Sequence, residues 1–181
     1  MNLVLIGPRG SGKSTVGRLA AERSGREFVD TDALVVAAAG RSIREIFADK
    51  GETAFRALES AAVAAAVARD GAVIAVGGGA VLSRDNRRTL RRSGWIVWLD
   101  APAEVLLERI AADPASDESR PPLTDLPSGD EMRRMLRRRR PFYVGLSDLR
   151  VATGNASPQA VADQIVEWLS GREKATPPAP P

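Results

Sequence analysis

The 181-residue chain contains no cysteine and no histidine, and its only tyrosine is Tyr143. Without cysteine there are no disulfides, thiol nucleophiles or thiolate-bound metals. Without histidine there is no imidazole base and no His-ligated zinc. Acid–base work must then fall to carboxylates, lysine or the one tyrosine. Any metal must be a hard, oxygen-bound ion, which suits Mg²⁺. No apolar run is long enough to cross a membrane. The chain enters an apolar strand-like run at Leu3, and removal of a leader would delete the motif that follows it, so no signal peptide and a cytoplasmic location are expected. Charge of one sign is not in large excess: 26 basic residues face 23 acidic ones, for a formal net charge of +3. Arginine dominates the basic set, which favours anionic ligands and leaves nucleic acid as the alternative.

What is present is organised around Gly7-Pro8-Arg9-Gly10-Ser11-Gly12-Lys13-Ser14-Thr15, which fits G-x-x-x-x-G-K-[ST]. Glycines at 7, 10 and 12 let successive backbone N–H groups point into one concavity that cradles phosphate oxygens. A helix starting there adds its positive end. Lys13 can reach the terminal phosphates, and the Ser14 hydroxyl can ligate Mg²⁺. The context fits: Leu3-Val4-Leu5-Ile6 reads as a buried parallel strand and residues 14–24 as an amphipathic helix.

Along the chain, strands are expected at 27–29, 72–76, 95–99 and 149–153 besides the first. Helices are expected at about 33–39, 42–47, 52–69, 85–92, 102–111, 130–140 and 157–169. Ser42 and Glu45 have the spacing of a capping box. Gly51 should break the chain. Asp100 should cap the helix after the fourth strand, and Pro141 should end the helix that precedes it. Residues 112–129 are aperiodic and rich in Pro, Ser and Asp, as in a functional or disordered loop. Residues 171–181 read as a disordered tail. Alternating strands and helices imply a parallel sheet covered on both faces, with ligands beyond the carboxyl ends of its strands. Gly7, Asp30 and Gly77 each follow a strand and should meet at one edge.

Three further groups carry chemistry. Asp30 and Asp32 flank one residue at a strand end; they can serve a metal and a substrate hydroxyl, or simply cap a helix. Arg56 and Glu59 lie at i,i+3 in Gly51-Glu52-x-x-Phe55-Arg56-x-x-Glu59; this is a surface ion pair, or a guanidinium held rigid for a substrate carboxylate. Gly77-Gly78-Gly79 is a flexible turn, or a place where backbone closely approaches a ligand. Six arginines also fall in the eight positions from Arg133 to Arg140. There, Met132, Met135, Leu136, Arg139 and Tyr143 form one helical stripe, so Arg139 alone of the run should point inward.

In this order, the phosphate loop, Asp-Thr-Asp, Gly-Glu-x-x-Phe-Arg-x-x-Glu, the triple glycine and an Arg-Pro in the 112–129 stretch resemble the shikimate kinases over roughly residues 1–170. The resemblance implies a single domain with a P-loop NTPase, nucleoside-monophosphate-kinase-like three-layer fold. Its five parallel strands would lie in the order 2-3-1-4-5. It implies ATP-dependent phosphorylation of the shikimate 3-hydroxyl, with Mg²⁺. Gly10, Ser11, Gly12, Lys13, Ser14 and Thr15 would hold the phosphates, Lys13 acting on the one transferred, and Ser14 with Asp30 would serve the metal. Arg109 and Pro158 would flank the adenine. Helices within about 33–60 would bind shikimate. Asp32 would orient the attacked hydroxyl; Arg56 and Arg139 would hold the carboxylate; Glu59 would orient Arg56; Gly77, Gly78 and Gly79 would meet the ring. Arg120 would come from a lid over 112–129, although Arg120-Pro121-Pro122-Leu123 departs from the usual Arg-Pro-Leu-Leu. A monomer without nucleic-acid or membrane partners is implied. The competing readings are a gluconate-type or other small-molecule kinase, against which the Arg56 block speaks, and a nucleic-acid-binding NTPase resting on the arginine run. The bland reading of that run is a solvated helix face.

Overall fold

The structure, a computed structural model, describes residues 1–113 and 129–174. Five parallel strands, β1 (Asn2–Ile6), β2 (Phe28–Asp30), β3 (Val73–Ala75), β4 (Gly94–Asp100) and β5 (Leu149–Ala152), form one sheet in the order β2-β3-β1-β4-β5. That is the order expected. The helices are α1 (Lys13–Ser24), α2 (Thr31–Ala39), α3 (Ile43–Val67), α4 (Arg84–Ser93), α5 (Ala103–Ala111), α6 (Gly129–Leu146) and α7 (Pro158–Lys174).

The continuous apolar run in β1 follows from burial on both faces. Val4 pairs with Ile74 on one side and Ile96 on the other, so the strand is central. Side chains alternate across the pleat. Val4 and Ile6 join Val63 of α3, Leu90 of α4 and Tyr143 of α6 in one core. Leu3 and Leu5 join Val16 of α1 and Val161 and Ile165 of α7 in the other. Leu3, Val4 and Leu5 are fully buried. Each such side chain contributes roughly 1.5–3 kcal/mol relative to exposure.

The Ser42–Glu45 capping box forms as read, and Gly51 interrupts α3 with φ 74°, ψ −179°. Other boundaries differ, and the reasons are tertiary. Helix α6 does not stop at Pro141 but runs through it to Leu146. An interior proline costs about 3 kcal/mol; burial of Tyr143 and Leu146, at 1% and 5% exposure, offsets it. Asp100 caps nothing. It ends β4, and its carboxylate accepts from Arg150 Nε and Nη2 at 2.9 and 2.5 Å, because β5 pairs alongside. Pro102 takes the N-cap position of α5, without a side-chain cap. Helix α7 continues past Gly171 to Lys174, so the first residues assigned to the tail are helical. A short 3₁₀ turn, Ala80–Leu82, follows the triple glycine and was not anticipated. Arg120 and most of the 112–129 stretch, like residues 175–181, lie outside the described residues.

Candidate functional site

The carboxyl ends of β1, β2 and β3 bring three loops together. After β1 the chain turns through Gly12, which at φ 90° lies in the left-handed region and occupies the N-cap of α1. No side chain caps that helix, so its first N–H groups face the cleft and are ready for an anion. Lys13, the first helical residue, folds its ammonium back over the loop and donates to the carbonyls of Gly7 and Pro8 at 2.9 and 2.7 Å. Ser14 donates its hydroxyl to Asp30 Oδ2 at 2.7 Å. Asp30 Oδ1 accepts the backbone N–H of Asp32 at 3.0 Å. The capping reading of Asp30 holds: one oxygen caps α2, while the other meets Ser14.

These residues line a cleft of about 560 Å³. Gly10, Ser11, Gly12, Lys13, Ser14 and Thr15 form its floor, and Asp30 and Asp32 stand on one side. Arg109 and Pro158, far apart in sequence, line the same cleft. Arg109 is anchored there by donating from Nη2 to the Thr153 carbonyl at 2.6 Å. Ser14 and Asp30 form a hydroxyl–carboxylate pair of hard oxygen donors beside the phosphate-binding floor. That donor set fits Mg²⁺, which keeps water ligands and takes few protein oxygens besides those of phosphates.

The triple glycine is where the groups converge, and each position has its own wall. Gly77 donates its N–H to Thr31 Oγ1 at 3.0 Å. A Cβ added at Gly77 would lie 2.8 Å from Asp32 Oδ1 and 3.0 Å from Glu59 Oε1. One at Gly78 would lie 3.3 Å from the Arg9 backbone nitrogen, against the phosphate loop. One at Gly79 would lie 2.4 Å from Arg56 Nη1. The run is thus packing space for a carboxylate pair, a phosphate loop and a guanidinium.

Arg56 and Glu59 form the expected pair, Nη1 to Oε2 at 2.8 Å. Arg56 also donates through Nε and Nη2 to Glu52 at 3.1 and 2.9 Å. Glu59 is only 2% exposed. Burial pushes its carboxyl up, against the opposing pull of Arg56 and Arg139. Burial also works against the Arg56 cation, but the hydrogen bonds and charges of Glu59 and Glu52 more than offset it and hold the guanidinium above its ordinary range. Arg139 approaches from α6 and donates to the Gly78 carbonyl at 3.1 Å. Of the six arginines between 133 and 140 it is the only one that is not exposed, as the stripe required.

Three neighbours were not singled out for the site. Tyr143 donates its hydroxyl to the same Gly78 carbonyl at 3.1 Å. Burial pushes its phenol up, so it stays a donor. Its membership of the Arg139 stripe was the available signal. Thr31, the middle residue of Asp-Thr-Asp, is fully buried and anchors Gly77. Arg9, a variable position of the motif, lines the cleft beside Gly10.

Gly79→Ala isolates one of these contacts. Gly79 has φ −97°, ψ −13°, which alanine adopts without strain. The three atoms nearest to the added methyl group all belong to the Arg56 guanidinium. The expected outcome is an intact fold with a displaced guanidinium. If the guanidinium holds a carboxylate ligand, affinity for that ligand falls about tenfold, equivalent to ~1.4 kcal/mol, while binding at the phosphate loop is unchanged; titration of the two ligands is the check.

The sequence model of the family described as Shikimate kinase matches residues 9–170. A shikimate kinase of Symbiobacterium thermophilum is 48% identical over 172 residues, covering 95% of this chain and 98% of that one. One from Geobacter metallireducens is 42% identical, covering 94% and 93%. Among solved structures, a shikimate kinase from Acinetobacter baumannii in complex with shikimate superposes with a TM-score of 0.88 at 33% identity, covering 95% of this chain and 94% of that one.

Proposed function

Because the chain belongs to the shikimate kinase family, we propose that it transfers the γ-phosphoryl group of ATP to the 3-hydroxyl of shikimate. The observation that carries this reading is the convergence on Gly77–Gly79 of the phosphate loop, Asp32 and the Arg56–Glu59 pair, with Arg139 reaching Gly78 from α6. One side of that junction suits a nucleotide triphosphate and the other a hydroxylated carboxylate.

Arg56 and Arg139 hold the carboxylate, and the glycine backbone lets the ring approach. The attacked hydroxyl lies against Asp32, which orients it and accepts its proton. The oxygen forms a bond to the γ-phosphorus as the bond to the bridging oxygen of ADP breaks. Lys13 and the N–H groups at the start of α1 neutralise charge on the transferring group, so positioning and electrostatics supply most of the rate. Ser14 and Asp30 would hold Mg²⁺, which would supply charge neutralisation on the phosphates when bound. The lid arginine, Arg120, belongs to this reading as a further phosphate contact. Shortening the lid, or Arg120→Ala, is expected to lower turnover and raise the share of ATP lost to water. Tight coupling at full turnover would remove Arg120 from the site.

ADP release by the purified chain with shikimate, quinate and gluconate in turn tests the function. Shikimate alone should support rapid release; preference for gluconate would overturn the reading. No helix among the described residues is long and apolar enough to cross a membrane. A monomer working in the cytoplasm completes the proposal.

The arginine run supplies a register test. Arg139→Ala is expected to raise the shikimate KM about tenfold or more, as loss of a charged hydrogen bond does. Arg134→Ala and Arg138→Ala, at exposed positions, should stay near wild type. If Arg138→Ala were the damaging change, the carboxylate assignment would fall.

A further inference from the structure

A second cleft, of about 740 Å³, opens at the β4–β5 edge between α6 and the segment that leads into α7. It shares only Ala156 with the nucleotide cleft. Its walls are Trp98, Pro102 and Leu136, with the guanidinium groups of Arg137, Arg140 and Arg150 around them. The Arg140 and Arg150 guanidiniums lie over the Trp98 ring, 5.5 and 5.1 Å from its centroid.

The charges here are unbalanced. Arg150 is neutralised by its two-pronged bond to Asp100. Neither Arg137 nor Arg140 has a carboxylate partner among the described residues, whereas Arg133, one turn earlier, is held by both Glu104 and Asp130. Like charges three and four residues apart on one helix repel, so the run is kept at a cost to the helix. The Trp98 indole N–H is buried and finds no acceptor among the described residues, in a side chain only 3% exposed. With essentially no accessible surface, this N–H is a reporter beneath the cleft wall and not a contact for a ligand.

We propose that this cleft is a binding site for a small oxyanion, a phosphate or carboxylate group carried on a flat or apolar body. Arg137 and Arg140 take the anion, and Pro102 and Leu136, above the buried Trp98 ring, take the body. A guanidinium spread over an indole keeps its N–H edge free for an oxyanion. The site lies apart from both substrate subsites, sharing Ala156 with the nucleotide cleft and having the ring of Tyr143 in its wall.

The test uses the whole protein loaded with Mg²⁺·ADP and just-saturating shikimate, so that the phosphate loop and the Arg56 subsite are filled. Inorganic phosphate and benzoate are titrated separately at constant ionic strength. The indole N–H signal of Trp98, assigned by its loss in Trp98→Phe, is followed by NMR against those of Trp95 and Trp168. The expected result is a saturable shift of the Trp98 signal with at least one of the two anions, weakened about tenfold or more in Arg137→Gln/Arg140→Gln. That double variant should keep wild-type turnover and melt no lower than the parent, since it relieves repulsion. A response to phosphate alone assigns a phosphate ester, and one to benzoate alone a carboxylate. No saturable shift with either, or the same affinity in the double variant, overturns the proposal.

Discussion

Lys13→Met should abolish phosphoryl transfer and leave the fold standing. The ammonium sits over the loop carbonyls of Gly7 and Pro8, at the edge of the cleft rather than in either core. Its loss therefore removes charge from the phosphate site without opening a cavity. A single preorganised group aimed at developing transition-state charge is worth about 10²–10³ in kcat, and Lys13 carries a full charge. The expected result is turnover reduced by at least that factor, with circular dichroism and thermal melting close to the parent. Near-normal turnover would remove the phosphate loop from the chemistry.

Arg56→Ala and Glu59→Ala should both strike shikimate and spare ATP. Arg56 is tied to Glu59 and Glu52 and lies against Gly79. Truncating one partner of a partly buried charged pair costs on the order of 2–5 kcal/mol, or ~30-fold to several thousandfold in affinity. Arg56→Ala does this directly, by removing the group and leaving Glu59 buried and ionisable. Glu59→Ala leaves the guanidinium present but released. Equal losses for both substrates would point to unfolding instead. The pair also predicts a pH effect. Because burial raises the Glu59 pKa, lowering the pH protonates Glu59 before it protonates an exposed glutamate. Arg56 then loses its orienter, and kcat/KM for shikimate falls on the acid side. In Glu59→Gln, kcat/KM should be low throughout and that limb absent; a limb that persists would belong to another group.

The parts of this molecule that were legible in sequence are those built from local rules. The phosphate loop is a contiguous signature between a strand and a helix. The alternation of strands and helices implied a covered parallel sheet, and the family resemblance supplied its order. The Arg139 register could be read because five residues on one helix repeat at helical spacing. What escaped depends on which distant segments meet. Pro141 looked like a stop because the penalty is local, whereas the burial of Tyr143 and Leu146 that offsets it is not. Asp100 looked like a cap because β5, which brings Arg150 beside it, lies fifty residues away. Nothing in the spacing of Gly77-Gly78-Gly79 reveals that the three positions face different partners. Tyr143 was readable as core but not as a donor to Gly78.

Gly78 joins the two halves of the site. Its carbonyl accepts from Arg139 and Tyr143, and a Cβ added to it would lie 3.3 and 3.4 Å from the Arg9 nitrogen and the Gly7 carbonyl oxygen. On the proposed assignment, shikimate at Arg139 and nucleotide at the phosphate loop both bear on this one peptide, so a displacement set by either ligand is expected to reach the other. Thermodynamic reciprocity then applies: whatever factor bound nucleotide adds to shikimate affinity, bound shikimate must add to nucleotide affinity. Tyr143→Phe, which removes one of the two donors on that carbonyl, should alter this shared factor while leaving the two separate affinities close to their starting values.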